Sequence, residues 1–377
     1  MNNSSNSNKQ TIASILGKPI SREEAFSLLR QDTQTYQTFL TFPPEEREKL
    51  LSFIEGNSGL QITYDSFFKK IFDPYTHPNR LERFLSAVLK QKVKIKAVLP
   101  NEGSKLSAIG SLVIMDIVLE LENGSIIDVE MQKIGYAFPG ERSDCYIADF
   151  IMRQYNRVKS ERGKSFSFRD MCPVYLIVLM ESSSKEFSLV APKYIHRKQI
   201  CYDSGVQINN LSNIVYISLD TFRSSVQNIS IELDAWLTFL SSDKPSDIIK
   251  LVTAFPKFKE YYQDIVDFRH NPKELIYMYS EALAILDYNT TQYMIDELKT
   301  ELQDVQERLQ ETKKDLAEVT TQKETTSNIN MSLTNENKSL SNENRSLSNE
   351  NKSLSNENKA LKKELEDLKA QLLGNHT

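Results

Sequence analysis

The stretch LVIMDIVLELENGSIIDVEMQ, residues 112–132, decides how this chain is read. Two alternating apolar–polar runs flank Glu122-Asn123-Gly124, the composition of a three-residue hairpin loop in which the glycine takes the left-handed conformation. That loop pairs Leu121 with Ser125, and counting outward sets Asp116 opposite Glu130. Met115, Ile117, Leu119 and Leu121 then share one face with Ile127, Val129 and Met131, an apolar set that must meet the core. The other face carries Asp116, Glu120, Asp128, Glu130 and Gln132. A two-residue loop would shift the register and send Asp116 and Glu130 to opposite faces, so the placement rests on the turn.

Carboxylates directly across a strand pair repel each other. They become tolerable when a divalent cation lies between them. Such a cation, held by carboxylates and water, generates a hydroxide and polarises a phosphoryl oxygen. The same spacing equally fits a solvated polar face on an antiparallel hairpin.

Outward from the hairpin, strands and helices mix. Residues 12–55 read as two or three short amphipathic helices broken near Pro43 and Pro44. Residues 64–72 are helical, with Phe68, Ile71 and Phe72 on one face. Residues 79–90 form another helix, with Asn79 as its cap and Glu82 three residues on. Residues 92–99 alternate basic and apolar residues as a strand, and a helix spans about 142–159. The continuous apolar run at 174–180 marks a buried central strand, and 214–219 is a further strand. From 231 to 288 the pattern is helical, interrupted at Pro245 and Pro256. The expectation is an α/β domain over about 61–291.

The C-terminal part is organised differently. Leucines recur every seventh residue at Leu333, Leu340, Leu347, Leu354, Leu361 and Leu368, within SNENKSL repeats. With these at d, the a positions are Asn330, Asn337, Asn344, Asn351 and Asn358, then Leu365 and Leu372. The frame continues backwards through Lys323 to Leu316, Leu309, Leu302 and Ile295 at a. The expectation is a rod of roughly 115 Å at about 1.5 Å per residue. Asn at a with Leu at d favours a parallel, in-register, two-stranded coil, because buried Asn pairs satisfy each other only in register and at a cost in stability. A homodimer follows from that reading, with five consecutive polar a layers weakening the middle of the rod.

Composition narrows the function classes. Cys145, Cys172 and Cys201 form no CxxC pair, and the four histidines are scattered, which argues against a disulfide framework and against zinc. A metal here would be held by oxygen ligands, favouring Mg²⁺, Mn²⁺ or Ca²⁺. No run approaches the roughly 18 apolar residues of a membrane span. Residues 1–10 are Asn- and Ser-rich without an apolar segment, so no membrane partner is expected and the default address is the cytoplasm. The net charge of −5 is carried mostly by the residues from Gln292 onward, with 12 Lys+Arg against 16 Asp+Glu. The nearly neutral remainder neither supports nor excludes DNA binding.

The order of features resembles the PD-(D/E)xK nuclease superfamily, in its transposase-like branch of recombination-promoting nucleases. The resemblance rests on YDSFFKKIF, then Asp116, then Glu130-Met131-Gln132, and downstream on ERSDCY, PVYLIVL and WLTFL…ELIYMYSEALAILDYNT, covering roughly residues 62–289. It implies a restriction-endonuclease-like core, a mixed sheet flanked by helices, with a C-terminal helical region ahead of the long parallel coiled coil. The corresponding segments are a disordered 1–11, a helical 12–60, a nuclease-like 61–230, a helical 231–291 and a coiled coil at 292–373.

The resemblance implies a metal-dependent DNA endonuclease in which Asp116 and Glu130 bind Mg²⁺ (or Mn²⁺) and Gln132 supports the attacking water. The superfamily's usual third residue is Lys. Gln132 is neutral and only exchanges hydrogen bonds, although the branch commonly carries Gln there. A basic residue often found shortly before the Asp is absent, and Ser111 occupies that region.

Candidates for the missing positive charge are Arg142, and Arg153 with Arg157, which lie four apart on one helix face. Lys69, Lys70 and the Lys92, Lys94 and Lys96 strand are further candidates for gripping phosphates. Asp65 matches the first helix of the family and either orders the site or caps the helix. Tyr146 matches as a substrate contact or a core aromatic. The alternative to an endonuclease is a catalytically weak or inactive nuclease-like scaffold that binds DNA or protein.

Overall fold

The computed structural model describes residues 11–100, 116–133, 139–226 and 228–374. They divide into two units, Met1–Glu297 and Leu298–Thr377.

The first unit is built on a six-stranded sheet. Its strands are β1 (Ile95–Val98), β2 (Ile117–Leu121), β3 (Ile126–Gln132), β4 (Val174–Met180), β5 (Ile195–Arg197) and β6 (Ser212–Ser218), in the order β1-β2-β3-β4-β6-β5. β3, β4 and β6 run parallel, while β1–β2, β2–β3 and β5–β6 pair antiparallel. The apolar run at 174–180 is the central β4, hydrogen-bonded on both sides by parallel strands. Both its faces are covered: Ile177 and Leu179 enter one core, and Leu176, Val178 and Met180 the other.

The larger core lies under helices from both ends of the unit. Four short helices, α1 (Ile12–Leu16), α2 (Arg22–Arg30), α3 (Thr33–Thr41) and α4 (Pro44–Glu55), are followed by α5 (Asp65–Ile71) and α6 (Pro78–Leu89). α6 starts with proline at its first position after His77, so Asn79 is already inside the helix and does not cap it. Glu82 does not complete a capping box either; its carboxylate accepts from Lys94 Nζ at 2.6 Å and from the Ile95 amide at 2.9 Å, tying α6 to β1.

Between β4 and β5 lies α8 (Lys185–Ser188), and after the sheet come α9 (Leu219–Ser225), α10 (Glu232–Ser241), α11 (Pro245–Ala254), α12 (Phe258–His270) and α13 (Pro272–Gly374). Trp236 of α10 is fully buried, stacked on Tyr261 and edge-on to Phe258 and Phe84. The smaller core is closed by α7 (Pro139–Arg162), which lays Tyr146, Ile147 and Phe150 on Val118, Ile126 and the inner residues of β4.

The hairpin register is the one the turn implies. Gly124 has φ +84°, its amide donates to Leu121 O at 2.9 Å, and Leu121 N donates to Ser125 O at 2.9 Å. The ladder then pairs Leu119 with Ile127 and Ile117 with Val129. Ile117, Leu119, Leu121, Ile127, Val129 and Met131 all lie in the larger core. Met115 lies outside the described residues, as does the beginning of the expected run at 112–121. The polar face is not solvated: Asp128, Glu130, Glu120 and Gln132 are all buried on the α7 side.

In the second unit the long helix α13 continues without a break through the heptads. The d-position leucines Leu333, Leu340, Leu347 and Leu354 are each about half exposed on the single chain. Among the described residues no helix is long and apolar enough to cross a membrane.

Candidate active site

Asp116 and Glu130 stand opposite each other one residue beyond the last ladder pair, Ile117 with Val129. There, side chains take over from the backbone ladder. The Asp116 amide donates to Glu130 Oε1 at 3.2 Å, and the Met131 amide donates to Asp116 Oδ2 at 2.7 Å. β3 ends here beside the end of β4, where the Glu181 amide donates to Gln132 O at 2.8 Å. The carboxylates therefore sit at the carboxyl edge of the parallel strands. Strand alternation puts Gln132 on the same face as Glu130, and it is buried.

α5 supplies the positive charge. Lys69 Nζ lies 3.1 Å from Asp116 Oδ1 and 2.9 Å from Asp65 Oδ1, four residues earlier on its own helix. Burial pulls the Lys69 ammonium pKa down, but the charges of Asp116 and Asp65 outweigh it and the net shift is upward. Asp65 thus orients Lys69; it does not act as a side-chain cap, since no such bond starts α5. A cleft of about 450 Å³ opens onto Lys69 and Asp116, walled by Asp73, Pro74 and Tyr75 on one side and Val98, Leu99 and Pro100 on the other.

From the α7 side, Arg142 faces Glu130 closely enough to favour its ionised form. Its guanidinium Nε donates to Tyr146 Oη at 3.0 Å, and Tyr146 itself is a buried member of the smaller core. Arg153 pairs with Asp149 at 2.6 Å and donates to Pro100 O at 2.8 Å. Arg157 pairs with Glu120, which also holds Lys96 at 2.8 Å. The structure brings Asp116, Glu130, Asp65, Lys69 and Arg142 together. Arg153 and Arg157 lie progressively further along α7, engaged by carboxylates of their own.

The electrostatics are dominated by lost water. Burial, then the Glu130 charge, holds the Asp116 carboxyl pKa well above its ordinary value, with Lys69 opposing. Burial, then Asp128, raises Glu130. Burial also raises Asp128, whose two oxygens have no close hydrogen-bond donor among the described residues, with the charge of Arg153 opposing. Its neighbour on that face is the Glu130 carboxyl, and two carboxyls share a hydrogen bond only when one holds a proton.

Three desolvated carboxyls keep raised pKa values despite the charges of Lys69, Arg142 and Arg153, and their oxygen donors are the kind that suit a hard divalent cation held by two carboxylates and solvent. Against that, no group of three His, Cys, Asp or Glu side chains is arranged to hold a metal ion among the described residues.

A second ionic cluster escaped the sequence reading. Lys133 follows Gln132, but alternation turns it to the opposite face. There it meets Glu181 at 2.8 Å and lies 3.7 Å from the centre of the Tyr64 ring. Glu181 also accepts from Thr63 and Gln61. Burial lowers the Lys133 pKa and Glu181 partly restores it. Lys133 is therefore not a displaced substitute for the lysine missing at Gln132. Only the strand parity in the sequence could have signalled this.

Comparison with curated proteins finds no match, and comparison with solved structures finds none either. The family model described as PD-(D/E)XK nuclease family transposase matches residues 62–293, a span that includes the hairpin, α5, α7 and the helices after the sheet. With the sheet, the buried carboxylate pair and that match over more than half its length, the chain belongs to the PD-(D/E)XK nuclease family transposases.

Proposed function

We propose that the chain is a nuclease-fold protein that binds DNA and cleaves phosphodiesters weakly or not at all. The observation that carries this reading is the occupation of Asp116. Lys69 takes Oδ1 and the Met131 amide takes Oδ2, so a cation at this carboxylate competes with an ammonium already in place. The neutral Gln132 adds no charge to stabilise a developing phosphorane. The nuclease-like unit then serves to bind, and the heptads pair two copies in parallel to make a bivalent protein.

A second reading is a metal-dependent endonuclease. It is favoured by Asp116 and Glu130 facing each other beside a cleft that reaches Asp116. In it Asp116 and Glu130 hold Mg²⁺ or Mn²⁺, which supplies Lewis-acid activation of water and phosphate. Gln132 orients the attacking water by hydrogen bonds, and Lys69, released from Asp116, neutralises a phosphate oxygen. Arg142 keeps Glu130 ionised.

The test is cleavage of supercoiled plasmid with Mg²⁺ or Mn²⁺, run beside DNA binding in EDTA. The proposed reading expects binding in EDTA, with nicking at most slow. Rapid nicking lost in both Asp116→Ala and Glu130→Ala establishes the second reading. Absence of DNA binding under all conditions refutes both.

A further inference from the structure

At the far end of α7 from Arg142, Tyr155, Phe166 and Phe168 gather outside both cores. Phe166 meets both other rings edge-on at 5.4 Å between centroids, while Phe168 lies nearly parallel to Tyr155, at 17° and 6.3 Å. Lys159 steadies the group by donating to Tyr155 Oη at 2.7 Å. Phe166 is half-buried, but Phe168 is 78% exposed, so its ring is held in place with most of its surface in water.

The surroundings are cationic. Residues 159–169 carry Lys159, Arg162, Lys164 and Arg169 against the single carboxylate Glu161. Arg162, Lys164 and Arg169 are exposed and make no ion pair among the described residues. Next to them, Asp170 is tied to the Ser167 amide at 2.8 Å.

An apolar contact for another protein would not need this excess of unpaired cations. A braced, exposed aromatic ring with free cations around it has the chemistry of a platform on which a nucleobase stacks while the neighbouring phosphates are neutralised. In a duplex the bases are already stacked on each other and hidden from such a ring. The 13 residue steps along α7 from Arg142 to Tyr155 span roughly 20 Å, so this surface is separate from the carboxylate site.

We infer that Phe168, with Tyr155 behind it and Arg162, Lys164 and Arg169 around it, binds single-stranded nucleic acid by base stacking and phosphate contact. The inference rests on the nucleic-acid-binding reading of this unit, not on cleavage.

The test uses the full chain in EDTA, so that catalysis plays no part. Fluorescence anisotropy compares labelled oligo(dT) and oligo(rU) of about 20 nucleotides with a duplex of the same length. Phe168→Ala is expected to weaken single-strand binding about five- to a hundredfold, the range of one base–aromatic stack, and to leave duplex binding unchanged. Phe168→Trp should restore it. Lys164→Glu with Arg169→Glu should reduce the slope of log K against log salt by about 1.4 for single strands, as for two lost phosphate contacts.

The tighter of the two oligonucleotides identifies DNA or RNA as the source of the strand. Single-strand binding that Phe168→Ala leaves intact, or duplex binding with none to single strands, overturns the inference and leaves the proposed function standing. Failure to bind any nucleic acid overturns both.

Discussion

Asp128 is a buried carboxyl whose loss of water is poorly offset. It is fully buried on the α7 face, and its carboxyl oxygens have no close hydrogen-bond donor among the described residues. It lies beside the Glu130 carboxyl, with the charge of Arg153 and the Val129 backbone opposing its burial. Because burial raises its folded-state pKa, the native protein keeps a proton that the unfolded chain releases above about pH 4. Its contribution is therefore least unfavourable below that pH, and stability falls as pH rises toward the raised folded value. Asp128→Asn, which stays neutral, should remove this dependence and raise metal-free stability at pH 7.5 by about 1–3 kcal/mol. A thermal melt in EDTA checks this, and a melting temperature at or below that of the wild type would contradict it. Asp116 and Glu130 carry the same burden with partial relief. Lys69 sits against the first, Arg142 faces the second, and the charge of Arg153 opposes the burial of Asp128.

At the scale of the element, the hairpin is controlled by its turn. Gly124 holds φ +84°, and a Cβ there would come 3.0 Å from Cys172 Sγ, so a side chain meets both backbone strain and a neighbour. Gly124→Ala is predicted to cost about 1–2 kcal/mol from the left-handed conformation alone. Urea denaturation of the full chain measures it, and an unchanged midpoint would show that the turn does not constrain the strands. α7 is the second controlling element. It converts a polar strand face into a buried one, so the alternative of a solvated face is not what the chain adopts. Its charged residues are partitioned along its length: Arg142 over Glu130, Arg153 on Asp149 and Arg157 on Glu120, and at and beyond its end stand the cations around Phe168, which make no ion pair among the described residues.

For the whole molecule, the question is what covers the heptad stripe. Leucines exposed at every seventh position along a helix are stable in water only when paired. On the proposed reading a second copy in register satisfies the five Asn layers, since each Asn would then face itself. Sedimentation equilibrium of the full chain is expected to give twice the single-chain mass. Leu340→Lys with Leu347→Lys and Leu354→Lys should lower it toward one. A wild-type protein at single-chain mass would refute the pairing. Because the rod is bivalent on this account, the triple variant should also weaken binding to long DNA more than binding to a short duplex.

Much of the site was legible before folding is considered. Period-two alternation and a three-residue turn with glycine at the left-handed position are local properties. They were enough to set Asp116 across from Glu130 and to sort six apolar residues onto one face. The heptad frame was legible for the same reason, since a repeat of seven needs only the helix itself.

Other features depend on neighbours distant in the chain. That Lys69 and not another cation meets Asp116, 47 positions away in sequence, follows from α5 docking against β3. Strand β5, three residues with no pattern of their own, exists because β6 offers an edge. Asn79 had the right chemistry for a cap, but Pro78 began the helix one residue earlier. Periodicity and turn chemistry act over a few residues and can be read from them. Burial of the carboxyls and their choice of cation are set by which elements pack together, and only the tertiary structure decided that.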